Sequence, residues 1–262
     1  MHTTNDKVVV ITGAGKGIGR GIAEYFAKQQ WVVILATRTD KEGIFVQKTI
    51  NQQGYQSLFI QTDVADETSI KNMVNLVLEK YGRIDALINN AGITRFKPLL
   101  ESSIEDWNEL INIDLRGVFL CSKYVAQAMV TKKIKGSIIN ISSNHAFRTL
   151  PDTEIYAAAK GGVNAMTRSM AISLGQYGIR ANAICPGFTD TPHYRSWLAE
   201  KDDAQSVEQE INTLHAMGEI TTPKDIAQLA LYLAGDESQK ITGSEILIDG
   251  GLTARLYNSS KF

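Results

Sequence analysis

Short apolar runs recur along this chain of 262 residues and alternate with longer segments in which apolar residues return every three or four positions. The short runs are typical of buried strands, and the longer spacing is typical of helices with one buried face. The pattern predicts seven strands, at residues 8–12, 31–36, 57–61, 86–89, 136–141, 180–184 and 245–248. Strands that alternate with helices indicate an α/β fold with a doubly wound, mainly parallel seven-stranded sheet and helices on both faces. No repeat or linker interrupts the pattern, so we expect one domain over residues 1–262.

The longest segment without a predicted strand covers residues 188–222 and follows the sixth strand. In a parallel sheet, the carboxyl ends of the strands form the crevice in which ligands bind. We therefore expect residues 188–222 to form a lid over a substrate.

A glycine-rich turn follows the first strand and precedes a helix. It reads Thr12-Gly13-Ala14-Gly15-Lys16-Gly17-Ile18-Gly19. Glycines permit a positive φ and a close approach to a ligand, and a helix that begins there offers unpaired N–H groups to a phosphate. Because a strand stands before the turn and a helix after it, we interpret it as a site for the pyrophosphate of a dinucleotide. The alternative is that the glycines only allow the backbone to turn and that the turn binds no ligand.

Tyr156 and Lys160 are four residues apart in a predicted helix and therefore share one face of it. A positive charge beside a phenol favours the phenolate, which suits the pair to acid–base chemistry. Taken alone, such a pair is more often part of a solvated helix face.

Four ordered motifs together carry a family resemblance. They are the glycine turn, Asn89-Asn90-Ala91-Gly92 after the fourth strand, Ser143 followed by Tyr156-x-x-x-Lys160, and Pro186-Gly187 after the sixth strand. With these motifs, the chain from about residue 7 to residue 252 resembles the classical short-chain dehydrogenase/reductases, including 3-oxoacyl-(acyl-carrier-protein) reductases and sugar or polyol dehydrogenases. The resemblance implies a Rossmann-type fold, a nicotinamide cofactor and hydride transfer between an alcohol and a ketone. It also implies a homotetramer built from the helices around 107–131 and 156–177 and from the C-terminal segment.

The resemblance assigns the catalytic roles. It makes Tyr156 the general acid/base, and it makes Lys160 the group that favours the phenolate and binds the nicotinamide ribose. It gives Ser143 a hydrogen bond to the substrate oxygen, whereas Ser142 points to the opposite face if the strand continues. The chain departs from the family at Asp114, where an Asn is usual. We consider Asp114 a fourth catalytic candidate, because its charge favours the protonated form of Lys160.

The resemblance also assigns the cofactor contacts. It implies that Asp63 accepts a hydrogen bond from the adenine, although an N-cap role is the alternative, with Asp66 the better candidate cap. It implies that Asn90, Ala91 and Gly92 line the ribose and nicotinamide, and that Thr189 meets the carboxamide. The candidate cofactor-binding residues are Thr12, Gly13, Gly15, Lys16, Gly17, Ile18, Gly19, Arg38, Asp63, Val64, Asn90, Ala91, Gly92, Tyr156, Lys160, Pro186, Gly187 and Thr189.

The end of the second strand indicates which cofactor is preferred. Sites specific for NAD usually have an acidic residue there, but this chain has Arg38. Arg38 and Lys16 can hold a 2′-phosphate by charge-assisted hydrogen bonds, so we predict a preference for NADP(H). The alternatives are that Arg38 is solvated or stacks on adenine, and that Asp40 reaches the ribose, which leaves NAD(H) possible.

The substrate is the least determined part of the site. His145 and His193, with Ser143 and Tyr156, are the candidate substrate residues, and polar groups there suit a small carbonyl, a sugar or a polyol. A 3-oxoacyl thioester is the alternative substrate, and a non-catalytic protein that senses the cofactor is the alternative of another class.

Composition excludes several other classes. The formal net charge is −1, so there is no broad basic field for nucleic acid, and no apolar run is long enough for a bilayer. The first residues do not resemble a signal peptide, so we expect a soluble, cytoplasmic protein. Cys121 and Cys185 lack metal-ligand spacing, and we expect two reduced core thiols and no metal site.

Overall fold

The fold is an open α/β sheet whose seven strands are all parallel. The structure, a computed structural model, describes residues 6–256. The strands are β1 Val8–Thr12, β2 Val32–Thr37, β3 Ser57–Gln61, β4 Ala86–Asn89, β5 Ser137–Ile141, β6 Arg180–Pro186 and β7 Glu245–Ile248. They lie in the order β3-β2-β1-β4-β5-β6-β7. The predicted doubly wound parallel sheet is confirmed.

Nine α-helices connect the strands within residues 6–256. They are α1 Gly17–Lys28, α2 Asp40–Gln52, α3 Glu67–Tyr81, α4 Ile104–Ile111, α5 Gly117–Thr131, α6 Glu154–Gly175, α7 Pro192–Ala199, α8 Ala204–Leu214 and α9 Pro223–Ala234. A π-helical turn, Asn112–Arg116, joins α4 directly to α5. None of these helices is long and apolar enough to cross a membrane.

Side chains that alternate along the strands form two hydrophobic cores, one on each face of the sheet. In β1, Val8 and Val10 join the core formed with α3, α5 and α6, whereas Val9 and Ile11 join the core formed with α1, α2 and α9. Neighbouring side chains in a strand point to opposite faces, so strands covered on both faces must be apolar throughout. All five residues of β1 are buried, as this arrangement requires.

A buried polar network crosses the sheet where an apolar core would be expected. Asn89 in β4 donates to Asn140 Oδ1 in β5 at 2.8 Å and to Ser122 Oγ in α5 at 2.9 Å. Asn140 in turn donates to Thr167 Oγ1 in α6 at 2.8 Å. The network joins two strands and two helices, and the Asn89 amide ties β4 to β5 within it.

Residues 188–222 contain α7 and α8 and form a small hydrophobic cluster around Tyr194, Leu198 and Ile211. A bridge between Thr189 and Thr221 joins the two ends of this segment. Arg195 in α7 bonds Asp190 Oδ1 at 2.6 Å and Glu208 Oε1 in α8 at 2.5 Å. The segment is therefore a compact pair of helices whose two ends are joined by the bridge between Thr189 and Thr221.

Candidate active site

The glycine turn lies at the point where the strand order reverses, between β1 and β4. Gly13 has a φ of 64° and donates its N–H to Ala36 O at 2.8 Å. A Cβ on Gly19 would stand 2.3 Å from Gly13 O, so only glycine permits α1 to begin this close to the turn. Ligands of open parallel sheets bind at such a reversal, because the loops on either side diverge there.

The start of α1 is suited to an anion. Its N-cap residue, Lys16, makes no side-chain capping bond, and its first turn holds no acidic residue. A Cβ on Gly17 would have only Thr191, 3.6 Å away, as a neighbour. The N–H groups at this helix start therefore face an open cradle between the turn and the segment 188–222, which fits the pyrophosphate of a dinucleotide.

The residues after β4 support this turn from the other side. Asn90 donates from its side-chain amide to Thr12 O at 3.0 Å and to Gly13 O at 3.2 Å. Thr12 Oγ1 accepts from the N–H groups of Asn90 and Ala91, each at 3.0 Å. The structure thus brings Thr12, Gly13, Asn90 and Ala91 together, with the side chain of Asn90 turned toward the glycine turn.

The residues predicted for the adenosine end gather beside β2 and β3. Arg38 is exposed, and its guanidinium has no partner within residues 6–256. Lys16 lies near Glu42 of α2, with its Nζ 3.9 Å from Glu42 Oε1. Asp63 accepts from Ala65 N–H at 2.9 Å, and Asp66 caps α3 as predicted. Nothing in the sequence alone indicates that Glu42 is a neighbour of the turn.

Tyr156 and Lys160 lie in α6, against the loop that follows β5. The Lys160 ammonium is 5.4 Å from the centre of the Tyr156 ring, and the His145 ring meets the Tyr156 ring edge to face at 5.4 Å. Ser143, at the end of β5, is buried and accepts from His145 N–H at 3.2 Å. Ser142 instead donates to Lys160 O at 3.2 Å, so its hydroxyl serves the backbone of α6.

Asp114 forms a buried ion pair with Lys160. Lys160 Nζ is 3.0 Å from Asp114 Oδ2, and the two residues are 5% and 0% exposed. The other oxygen, Oδ1, accepts from Ile93 N–H at 2.8 Å. Burial by itself lowers the pKa of Lys160, but the Asp114 carboxylate, together with Tyr156 and Cys185, outweighs it, so the pKa lies above its ordinary value. The ammonium is therefore held in its charged form.

The substrate candidates differ in their surroundings. His145 stacks on Phe96, with ring centres 6.0 Å apart, and burial lowers the pKa of His145. His193 is exposed on α7, and no hydrogen bond, ion pair or ring contact within residues 6–256 joins it to the catalytic residues.

The cofactor candidates after β6 lie close together. Thr189 is buried and bonds Gly187 O and Thr221 Oγ1 at 3.1 and 3.0 Å. Pro186 ends β6, and Gly187 packs against Asp249, which a Cβ there would approach to 2.8 Å.

The two cysteines take no part in the acid–base site. Burial raises the pKa of Cys121 to about 12 and that of Cys185 to about 11, so both thiols stay protonated. Both cysteines are free and buried. Within residues 6–256, no group of three or more His, Cys, Asp or Glu residues could hold a metal ion.

A dinucleotide cradle beside a Tyr–Lys pair, at the reversal point of a parallel sheet, defines a class of oxidoreductases that act on alcohol and ketone groups with a nicotinamide cofactor. Comparison with known proteins agrees with this class. A family model described as Enoyl-(Acyl carrier protein) reductase matches residues 13–253. The chain belongs to the short-chain dehydrogenase/reductase family.

Two relatives and one solved structure illustrate the range of the family. The chain is 36% identical over 250 residues to meso-2,3-butanediol dehydrogenase of Serratia marcescens, covering 95% of this chain and 96% of the relative. It is 39% identical over 248 residues to 3-oxoacyl-(acyl-carrier-protein) reductase of Thermotoga maritima, covering 94% and 97%. A gluconate 5-dehydrogenase from Burkholderia cenocepacia J2315, solved in complex with NADP and tartrate, has a TM-score of 0.89, 28% identity and 97% coverage of both chains.

Proposed function

We propose that the protein interconverts a secondary alcohol and a ketone with NADP(H), on a small polar substrate such as a sugar, a polyol or a keto compound. The observation that carries the proposal is the buried Lys160 ammonium beside the Tyr156 ring, at the end of β5 where Ser143 lies. An ammonium kept charged within a crevice, beside a phenol, suits a site that supplies a proton and stabilises charge.

Each catalytic side chain has one task in this proposal. When bound, the nicotinamide supplies the hydride in reduction and accepts it in oxidation. Tyr156 gives its phenolic proton to the carbonyl oxygen in reduction and takes it back from the hydroxyl in oxidation. Ser143 donates a hydrogen bond to the same oxygen and stabilises the charge that develops there. Lys160 places a positive charge 5.4 Å from the centre of the Tyr156 ring and holds the nicotinamide ribose.

Asp114 completes the site as a positioning residue. It pairs with Lys160 through Oδ2 and holds the loop after β4 through Ile93 N–H. The carboxylate therefore fixes the ammonium relative to the residues proposed to line the ribose, Ala91 and Gly92. Asp114 replaces the usual Asn without removing an acceptor from the site.

The preference for NADP(H) is supported by the two cations at the adenosine end. The guanidinium of Arg38 is exposed without a partner in the described chain, and Lys16 lies on the glycine turn, with a side chain that is 72% exposed. The solved gluconate 5-dehydrogenase, which is similar over nearly the whole chain, was obtained with NADP. A 2′-phosphate placed between two cations gains charge-assisted hydrogen bonds that a ribose hydroxyl does not.

The substrate is proposed from the relatives and from the lid. The names of two similar proteins specify a diol and a sugar acid, both small and polar. We propose that α7 and α8 close over such a substrate, since Thr191 at the start of α7 faces Gly17. The 3-oxoacyl thioester is the second candidate, because a reductase of that class is 39% identical to this chain.

We further propose a homotetramer. Phe119 on α5 and Ile172 on α6 are 48% and 85% exposed, on the two helices that the family resemblance assigns to subunit contacts. Light scattering coupled to size-exclusion chromatography is expected to give four times the chain mass of 28.8 kDa. A monomer at micromolar concentration would contradict this proposal. The C-terminal segment beyond Leu256 lies outside the described residues.

The substrate is tested with a panel of sugars, polyols, hydroxy acids, small ketones and acetoacetyl thioesters, each with NADP(H) and NAD(H), followed by nicotinamide absorbance. We expect turnover of a diol, sugar or sugar acid with NADP(H). Preferential thioester reduction would assign the second candidate, and cofactor binding without any turnover would favour a cofactor sensor.

A further inference from the structure

Glu42 lies against the glycine turn, although it belongs to a different element. It stands in the first turn of α2 and packs beneath Gly15, where an added Cβ would be 2.8 Å from Glu42 Cβ and 2.9 Å from Glu42 Oε2. Its other oxygen, Oε1, is 3.9 Å from Lys16 Nζ. A carboxylate therefore lies next to one of the two cations assigned to the cofactor.

The side chains of Lys16, Glu42 and Arg38 differ in their exposure and in their contacts. The side chain of Lys16 is 72% exposed and that of Glu42 only 35%. The guanidinium of Arg38 has no partner within residues 6–256, although its carbonyl accepts from Gln61 Nε2 at 3.2 Å. Lys16 is thus free to turn toward a phosphate, while Glu42 is held in place by its packing against the turn. A phosphate bound by Lys16 would remain close to the fixed carboxylate.

The start of α2 increases the importance of this charge. Its N-cap residue, Thr39, makes no side-chain capping bond, so the first-turn N–H groups are available to an anion. Glu42 and Asp40 stand in that same turn and offset its positive end. The adenosine end therefore combines features that attract a phosphate with one fixed acidic group that opposes it.

We propose that Glu42 is a specificity-determining residue that limits the preference for NADP(H) over NAD(H). This inference rests on the proposed function, in which Lys16 and Arg38 hold the 2′-phosphate. Glu42 competes for Lys16 and repels the phosphate, but it leaves the ribose of NAD(H) unaffected. The chain consequently discriminates between the two cofactors less sharply than its two cations alone would allow.

The test is Glu42→Gln, which keeps the shape of the side chain and removes its charge. NADPH and NADH binding are titrated by nucleotide fluorescence, without substrate. Loss of an exposed like-charge contact should tighten NADPH binding about threefold to fivefold and leave the affinity for NADH within about twofold. The gain should shrink in a Lys16→Met background, because the competition for Lys16 is then absent. Glu79→Gln on α3 is the matched control for net charge.

The alternative outcomes are distinct. Unchanged NADPH binding overturns the inference, and so does an equal gain for both cofactors. Weaker NADH binding with unchanged NADPH binding also overturns it, because Glu42 would then be an acceptor for the ribose. If the unmodified protein binds neither cofactor, the proposed function itself fails. Matching circular-dichroism melting curves would show that Glu42→Gln remains folded.

Discussion

Asp114→Asn tests the buried ion pair with Lys160. Both atoms that face Asp114 are donors: Lys160 Nζ stands 3.0 Å from Oδ2, and Ile93 N–H donates to Oδ1 at 2.8 Å. The aspartate forms an ion pair with the ammonium and accepts from Ile93 N–H, whereas an asparagine is uncharged and has a single acceptor oxygen. The substitution therefore turns its amide NH₂ toward one donor and leaves a buried ammonium without its countercharge.

The loss of stability expected for Asp114→Asn follows from the distance and the burial of the ion pair. At 3.0 Å the attraction is about 5 kcal/mol for an effective dielectric constant of roughly 20, and the desolvation of the carboxylate offsets several kcal/mol of it. We expect Asp114→Asn to lower the free energy of unfolding by about 2 kcal/mol near pH 7. The measurement is urea unfolding followed by fluorescence. The control is Glu24→Gln, which breaks the exposed pair with Arg20 and should cost about 0.5 kcal/mol or less.

The pH dependence has a definite sign. Burial lowers the pKa of Lys160, but Asp114, Tyr156 and Cys185 together outweigh burial, so the pKa is raised in the folded protein. The stabilisation is therefore complete below the unfolded pKa of about 10.4 and is lost as the pH rises through the folded value. The difference between Asp114→Asn and the unmodified protein should be complete near pH 7 and should shrink only as the pH rises above about 10.4. A difference no larger than that of the control, or one independent of pH, would refute the reasoning.

Two further substitutions test the cradle and the polar network. Gly19→Ala places a Cβ 2.3 Å from Gly13 O, so nucleotide titration should show cofactor binding reduced at least tenfold. Gly175→Ala is the control, because its Cβ meets nothing within 4 Å, and it should leave cofactor binding unchanged. Equal effects of the two substitutions would contradict the role given to the glycine turn. Asn140→Ala removes one of the two acceptors of the buried Asn89 amide, so urea unfolding should show a loss of about 2 kcal/mol. An unchanged midpoint would mean that water or a neighbour replaces the bond.

The strands could be predicted closely, because a strand covered on both faces must be apolar throughout. The bounds of β1, β3, β4 and β7 agree with the prediction, and β2 and β5 begin one residue later than predicted. The larger difference is in β6, which continues to Pro186 instead of ending at Ile184. Pro186 pairs with Ile248 of β7, so the strand extends to a position that lacks an N–H. A proline ordinarily predicts a strand end, and only the neighbouring strand reveals the exception.

The parts of the site that depend on packing between elements could not be predicted. The sequence identifies Asp114 as a departure that acts on Lys160, but not the 3.0 Å ion pair between them, which depends on how the π-helical turn meets α6. It gives no signal for Glu42 beneath Gly15, because that contact depends on the angle between α2 and the turn. Asn140 looks like one polar residue in an apolar strand until Asn89 and Thr167 are placed beside it.

The central claim is that Tyr156 supplies the proton at a site that also binds the nicotinamide cofactor. The most direct measurement compares Tyr156→Phe with the unmodified protein in two assays: turnover of whichever panel substrate is active, and NADPH binding by fluorescence titration. The account predicts that turnover falls by about a thousandfold or more, because the general acid/base is lost, while NADPH affinity changes by less than about threefold. Undiminished turnover in Tyr156→Phe would contradict the claim.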